Sequence, residues 1–182
     1  PRSHVTIVSP GQVKVTYASH FGYRDRDDNG IGSPYLGYAV GHGKCTNNKK
    51  VVGVALPESV LCRELGLPRL PRRHEFKSKA AWHEAIERAW HDWEPARDCT
   101  VDILCPKTHR VKAARVDVVD LGPAKWVTQS RGVGIDLTYR LNQIVGGTGK
   151  TLVAYRLNKP KGRPSRSSPT YYLSSGPRLA SR

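Results

Sequence analysis

The sequence predicts a mainly β protein with an inserted α-helix. Short segments of alternating or continuous apolar residues recur along the chain, and turns containing Gly or Pro separate them. The clearest helical spacing of apolar residues lies in residues 78–93. The length of 182 residues suits about one domain with an extension. Together these observations favour a single β domain that carries a helical insertion.

Seven segments have the composition of strands. The first two alternate in polarity and are joined by Pro10 and Gly11, whereas the third is the short apolar run typical of a buried strand. A long loop rich in Gly, Asp and Asn separates the second segment from the third. The predicted strands cover residues 5–8, 12–17, 51–56, 100–105, 112–119, 134–138 and 152–157.

The strongest helix prediction covers Ser78 to Trp93. Ser78 is a residue type favoured at helix N-caps, and Pro95 is expected to end the helix. We expect the tryptophans of this segment to pack an insertion of residues 65–98 onto the β domain. Two shorter helical segments are expected at residues 57–65 and 141–145. The apolar residues at helical spacing are Trp82, Ile86, Ala89 and Trp93.

The chain is strongly basic. Thirty Lys and Arg residues against fifteen Asp and Glu residues give a formal net charge of +15. Such an excess favours an anionic partner, whether a nucleic acid, an anionic cell envelope or an acidic protein surface. No apolar run approaches the ~18 residues of a membrane span, so we expect none.

Much of the positive charge lies near the C-terminus. Residues 155–182 contain seven Lys and Arg residues, no acidic residue, and many Pro, Ser and Gly residues. We therefore expect residues 158–182 to form an extended basic tail beyond a domain of residues 1–157. Three roles stay open for this tail: a phosphate-binding segment, a solvated extension, or an arm that becomes ordered against other chains of an assembly.

Two motifs resemble ligand loops only in part. Residues 146–151, GGTGKT, end like a phosphate-binding loop, but Ile144 stands where the full pattern needs Gly, so a Gly-rich turn is expected. A half-match to a calcium loop has Leu36 at its twelfth position instead of Glu, so a polar surface turn is expected there. That half-match consists of Asp25, Asp27, Asn29 and Gly30.

The cysteines do not predict a metal site. None of them forms a CxxC pair, so we expect no zinc, and the sequence indicates no other metal or cofactor. Disulfide bonds and free buried thiols both remain open, because four cysteines allow three pairings and nothing in the spacing selects one. The four are Cys45, Cys62, Cys99 and Cys105.

Residues 116–137 contain the candidate catalytic residues. A strand ends in Asp120, a turn follows at Gly122, and a loop leads to another strand that presents Asp136. Two carboxylates at the ends of neighbouring strands can share a cleft, where one acts as a proton donor and the other stabilises positive charge. Structural roles stay open beside this one: Asp120 as a cap of the turn, and Asp136 as a cap of the following helix.

These motifs resemble the double-psi β-barrel domain of rare lipoprotein A and the expansins. Residues 120–123 read D-L-G-P and residues 135–138 read I-D-L-T, similar to the two Asp motifs of that family. Residues 16–22, TYASHFG, are similar to its opening strand, and residues 54–57, VALP, to the strand before its L-P turn. The resemblance covers residues 13–157 apart from the insertion.

The resemblance implies a six-stranded double-psi β-barrel with a shallow glycan-binding groove. It also implies that Asp136 is the acid of the cleaving members, with Asp120 beside it. Lytic relatives carry a His before the L-P turn, where this chain has Val54 and Ala55, and an Arg where it has Leu121. His20 is a candidate replacement for that His.

Four residues are candidates for contacts with the glycan. Trp126 and Tyr139 flank the two aspartates in sequence, and aromatic faces suit sugar stacking, although both are also reasonable core residues. Tyr17 and His20 belong to the segment that resembles the opening strand of the family.

The sequence therefore favours a barrel that binds or cleaves a cell-wall glycan such as peptidoglycan, outside the cell or in its envelope. The alternative is a non-catalytic structural protein of a phage virion or tail, with the basic tail as an assembly arm. Binding of nucleic acid is a third, weaker hypothesis.

Overall fold

The computed structural model describes residues 7–23 and 49–160, and in these ranges it shows a closed, mixed β-barrel. Seven strands form one sheet, and six of them close into the barrel in the order β7-β2-β6-β3-β5-β4, with β4 pairing back to β7. The strands are β1 (Ile7–Pro10), β2 (Lys14–Phe21), β3 (Val54–Leu56), β4 (Thr100–Leu104), β5 (Val111–Leu121), β6 (Val133–Thr138) and β7 (Thr151–Pro160).

The barrel mixes parallel and antiparallel pairs. The β2–β6 and β3–β5 pairs are parallel, and the other four pairs of the ring are antiparallel. Strand β1 pairs with the same edge of β7 as β2 does, beyond the end of β2, and it lies outside the closed ring. The predicted mainly β class is confirmed, and each of the seven predicted strands overlaps an observed one.

Within residues 7–23 and 49–160, five α-helices connect the strands. The helix predicted at residues 78–93 is confirmed, since Lys79–Asp92 is helical. The predicted cap is also present, because the Ser78 hydroxyl accepts a hydrogen bond from the Ala81 N–H at 3.1 Å. The short helix predicted after β3 is also present and ends at Gly66, whose φ is 69°. The helices are α1 (Glu58–Leu65), α2 (Lys79–Asp92), α3 (Glu94–Asp98), α4 (Lys125–Arg131) and α5 (Tyr139–Ile144).

Two helices differ from the sequence-based expectations. Pro95 lies in the first turn of α3 instead of ending the helical region, because the missing N–H of proline has no intrahelical partner there in any case. Residues 125–131, expected as loop, form α4, which ends at Gly132 with a φ of 63°. Helix α4 matters for function because it lies directly between the D-L-G-P turn and β6.

The insertion packs on the barrel through Trp93. Its side chain is fully buried in the same apolar cluster as Val101 and Ile103 of β4, and its Nε1–H donates to the Pro68 carbonyl at 3.0 Å. Trp82 is half-buried and donates to the Pro71 carbonyl at 3.1 Å. The expectation that tryptophan joins the insertion to the β domain therefore holds for Trp93.

Several expectations fall on residues outside the described ranges. These are the partial calcium loop, Cys45, and the basic tail beyond Pro160. Within the described ranges, Cys62, Cys99 and Cys105 are free thiols. None of the described helices is long and apolar enough to cross a membrane.

Candidate functional site

Asp120 and Asp136 lie in one row across four adjacent strands. Ser19 of β2 pairs with Asp136 of β6, Asp136 pairs with Ala55 of β3, and Ala55 pairs with Asp120 of β5. Paired residues on neighbouring strands point to the same face, and two strand spacings put the two Asp Cα atoms ~10 Å apart. Because Ala55 between them is small, the two carboxylates face a common space.

The row lies on the outer face of the barrel. Ile135 and Leu137, on either side of Asp136, are fully buried in the main core, so the alternation of a strand turns Asp136 the other way. Ala55 belongs to a second small apolar cluster with Phe21 and Val119. This small cluster forms an apolar base under the outer groove.

Two irregularities in the strand pairing set the row. In the β3–β5 pair the register advances from Val118 to Asp120 in one step, which leaves Val119 as an extra residue and brings Asp120 opposite Ala55. In the β2–β6 pair the register skips Gly134, which brings Asp136 opposite Ser19. A Cβ at Gly134 would lie 2.5 Å from the Thr16 hydroxyl oxygen, so a side chain would clash there.

The Asp136 carboxylate is held between a hydroxyl and the backbone. The Ser19 hydroxyl donates a hydrogen bond to Oδ1 of Asp136. On the other side, a Cβ built on Gly122 would lie 3.1 Å from Oδ2, so the D-L-G-P turn approaches the carboxylate closely. These contacts limit the orientations that the Asp136 side chain can adopt.

The structural roles considered for the two aspartates are met only in part. Asp120 Oδ1 accepts a hydrogen bond from the Leu121 N–H at 2.7 Å, so this carboxylate does contact the turn that follows it. The N-cap residue of α5 is Thr138, two positions after Asp136, so the expected cap by Asp136 is not at the N-cap position. The Thr138 hydroxyl is bound to Val51 and Gly53 of the preceding loop.

An open groove of about 560 Å³ runs over the row. Both aspartates, Ser19 and Ala55 line it together with the D-L-G-P turn, and His20 lines it as well. Two basic residues, Arg131 at the end of α4 and Lys150 before β7, lie on its wall. The groove therefore combines carboxylates on its floor with cations on one side.

Lys150 is fixed at this wall by two contacts. Its Nζ donates a hydrogen bond to the Arg131 carbonyl oxygen at 2.6 Å and lies 4.3 Å from the centroid of the Tyr17 ring. A cation over an aromatic face at this distance is attracted to it. The Tyr17 side chain, 42% exposed, thus lies beside the groove and contacts it through Lys150.

The other predicted glycan-contact residues are distributed unevenly. Tyr139 packs edge-to-face on Tyr23, with 5.2 Å between ring centroids, in a separate cavity of about 510 Å³ whose lining includes Lys49 and Arg140. Trp126 belongs to α4, and its side chain lies outside the described part of the structure. The groove thus gathers the two aspartates and His20, with Tyr17 at its edge.

Sequence reasoning missed Ser19, Arg131 and Lys150. Ser19 is adjacent to the predicted His20, but only the pairing of β2 with β6, across 117 residues, brings it to Asp136. Arg131 is the last residue of α4, which was expected as a loop. Lys150 lies at the end of a Gly-rich turn, just before β7.

Comparison of the chain with models of protein families, with curated proteins and with solved structures finds no match. The function is therefore inferred from the groove and its residues.

Proposed function

We propose that this protein is a double-psi β-barrel that binds a cell-wall glycan of the peptidoglycan type in its outer groove and cleaves it with Asp136 as the acid. The observation that carries the proposal is the row in which Asp136 and Asp120 share one open groove. Two parallel strand pairs in a closed six-stranded ring support the double-psi assignment.

The proposed cleavage needs one acid and no water. Asp136, in its protonated form, gives its proton to the glycosidic oxygen as the bond to the anomeric carbon breaks. A hydroxyl of the same sugar then bonds to the anomeric carbon and returns its proton to Asp136, so the acid is restored. Asp120, in its ionised form, stabilises the positive charge that develops on the sugar ring.

The contacts around Asp136 suit this role. A general acid must keep a fixed position against the leaving oxygen. The Ser19 hydroxyl binds one oxygen of the Asp136 carboxyl, and the Gly122 backbone lies close to the other. The open shape of the groove suits the binding of a polymer. The overall charge of +15 suits a wall rich in carboxylate and phosphate groups.

The test is release of soluble fragments from purified peptidoglycan by the wild type and by Asp136→Asn. We expect release to fall at least about 100-fold in the variant, while binding to the insoluble wall and the melting temperature stay close to those of the wild type. Mass spectrometry of the fragments should find anhydro-sugar ends, which intramolecular attack produces, instead of the reducing ends left by water.

A matched control is Asp117→Asn, which removes an aspartate from the same strand, β5, but outside the groove lining. It should leave release unchanged. Equal release by wild type and Asp136→Asn would contradict the catalytic role. Wall binding without any release would reduce the proposal to a binding protein, and absence of both would favour the structural alternative.

A further inference from the structure

We infer that Lys150 is a specificity-determining residue of the groove, which binds a carboxylate carried by the glycan and so selects acidic over neutral glycans. This inference rests on the proposed function and names the class of its substrate. Lys150 lines the same groove as Asp120 and Asp136, so a sugar seated over the aspartates lies within reach of its side chain.

The position of the ammonium group is the first support. The Arg131 carbonyl and the Tyr17 ring hold Nζ at the groove wall, so the flexible lysine side chain is already ordered before a ligand arrives. An ammonium has three N–H donors, and one of them serves the Arg131 carbonyl. Donor capacity is thus left for a ligand.

The charge of Lys150 is the second support. Within the described residues, no carboxylate lies within ion-pair distance of Nζ. The two contacts that hold it are a carbonyl dipole and an aromatic face, neither of which carries a net negative charge. The preceding residue, Gly149, also lines the groove and has a φ of 120°, a conformation open to glycine.

The floor of the groove explains why such a cation matters for an acidic ligand. An acidic glycan that approaches the floor of the groove is repelled by the ionised carboxylate of Asp120, and a cation on the wall offsets this repulsion. A neutral glycan experiences no such repulsion and gains little from the cation. The wall cation therefore changes the affinity for acidic glycans selectively.

Lys150 also has a structural explanation that the test must separate. Its hydrogen bond ends on Arg131, the last residue of α4, where a cation stabilises the C-terminal end of a helix. A purely structural role predicts that removal of Lys150 weakens the binding of every ligand equally. A role in recognition predicts a loss only for ligands that carry carboxylates.

The experiment measures binding of two soluble oligosaccharides by isothermal titration. One is a neutral oligomer of N-acetylglucosamine, and the other has the same backbone with lactyl carboxylates on alternate sugars. The reference protein is the Asp136→Asn variant, which keeps Lys150 and cleaves no ligand. It is compared with Lys150→Gln and Lys150→Arg made on the same background. The control is Lys112→Gln, because Lys112 also donates to a backbone carbonyl, that of Val145 at 2.9 Å, but lies outside the groove.

We expect Lys150→Gln to lose about tenfold in affinity for the acidic oligomer, the effect of one charge-assisted hydrogen bond at an exposed site, and to bind the neutral oligomer as before. Lys150→Arg should keep most of the preference for the acidic oligomer, and high salt should remove this preference from the reference protein. Equal losses for both oligomers, or no loss, would overturn the inference while the proposed function stands. Failure of the reference protein to bind either oligomer would overturn both the inference and the proposed function.

Discussion

The hydroxyl of Ser19 donates a hydrogen bond to Oδ1 of Asp136 from the adjacent parallel strand. This contact joins the two segments of the chain that the sequence singled out separately, the TYASHFG strand and the I-D-L-T strand. It exists because the pairing of β2 with β6 skips Gly134. Had the strands paired without that skip, Ser19 would lie opposite Ile135, whose side chain points into the core.

Ser19→Ala should slow fragment release about tenfold, because the Asp136 carboxyl loses the hydrogen bond that fixes its orientation. Initial rates of release from purified peptidoglycan measure the effect, with the melting temperature as a check on folding. Ser19→Thr keeps a hydroxyl at this position and should retain most of the activity. An alanine variant as fast as the wild type would show that the hydrogen bond is irrelevant to catalysis.

Gly122→Ala should also lower the release rate, for a steric reason. The new methyl group would lie 3.1 Å from Asp136 Oδ2 and 3.4 Å from the Ala55 Cβ, so the carboxylate must shift by a few tenths of an ångström. We expect roughly tenfold slower release, because misplacement of a reacting group is costly even over short distances. Stability should fall by no more than about 1 kcal/mol.

Gly66→Ala is the matched control for this prediction. A Cβ at Gly66 meets nothing within 4 Å, but its φ of 69° strains any other residue. The variant should lose about 1 kcal/mol of stability without a change in the release rate of the folded protein. If Gly122→Ala and Gly66→Ala showed the same ratio of rate loss to stability loss, the closeness of Gly122 to Asp136 would not matter for catalysis.

The sequence predicted the strands well because their polarity alternates, and it pointed to Asp120 and Asp136 because two short motifs resemble a known family. The resemblance implied that Asp120 lies beside Asp136, but the strand pattern alone could not show that the two aspartates share a face. That depends on Val119 and Gly134, the extra residues in two strand pairs, and a slip of one residue turns a side chain to the opposite face.

Helix α4 was missed for a local reason. Its sequence, KWVTQSR, contains residues of modest helix propensity, and its N-cap position holds Ala124, which has no side chain that could cap it. The available signal was Gly132, which ends the helix with a φ of 63°. Because α4 was not predicted, the position of Arg131, whose carbonyl binds Lys150, could not be predicted either.

Asp102→Ala should destabilise the barrel by about 2 kcal/mol, measured as a shift of the urea midpoint. The Asp102 carboxylate is nearly buried and accepts hydrogen bonds from Nε of Arg156 and from the Arg115 N–H, both at 2.9 Å. The estimate is below that of a fully buried pair, because the Arg156 side chain is 33% exposed. The variant also frees Arg115, whose φ is 52°.

Arg63→Gln is the comparison for Asp102→Ala. It breaks the ion pair of Arg63 with Glu64, whose atoms are 3.4 Å apart and whose arginine side chain is 66% exposed, so stability should change by about 0.5 kcal/mol or less. Shifts of the same small size in both variants would mean that the link from Asp102 to β5 and β7 does not support the barrel.

Cys105 should be the most easily alkylated of the three described thiols. Hydrogen bonds from Thr108, and a smaller effect of Lys112, lower the pKa of Cys105 from 9.0 to about 7, whereas burial raises the pKa of Cys99 to about 12. Since the thiolate is the reactive form, labelling of Cys105 by iodoacetamide should increase as the pH rises through about 7. Thr108→Val removes a hydroxyl that stabilises the thiolate, so it should move this midpoint to higher pH. Peptide mapping by mass spectrometry separates the sites, and a Cys105 midpoint near 9.0 in the wild type would contradict the prediction.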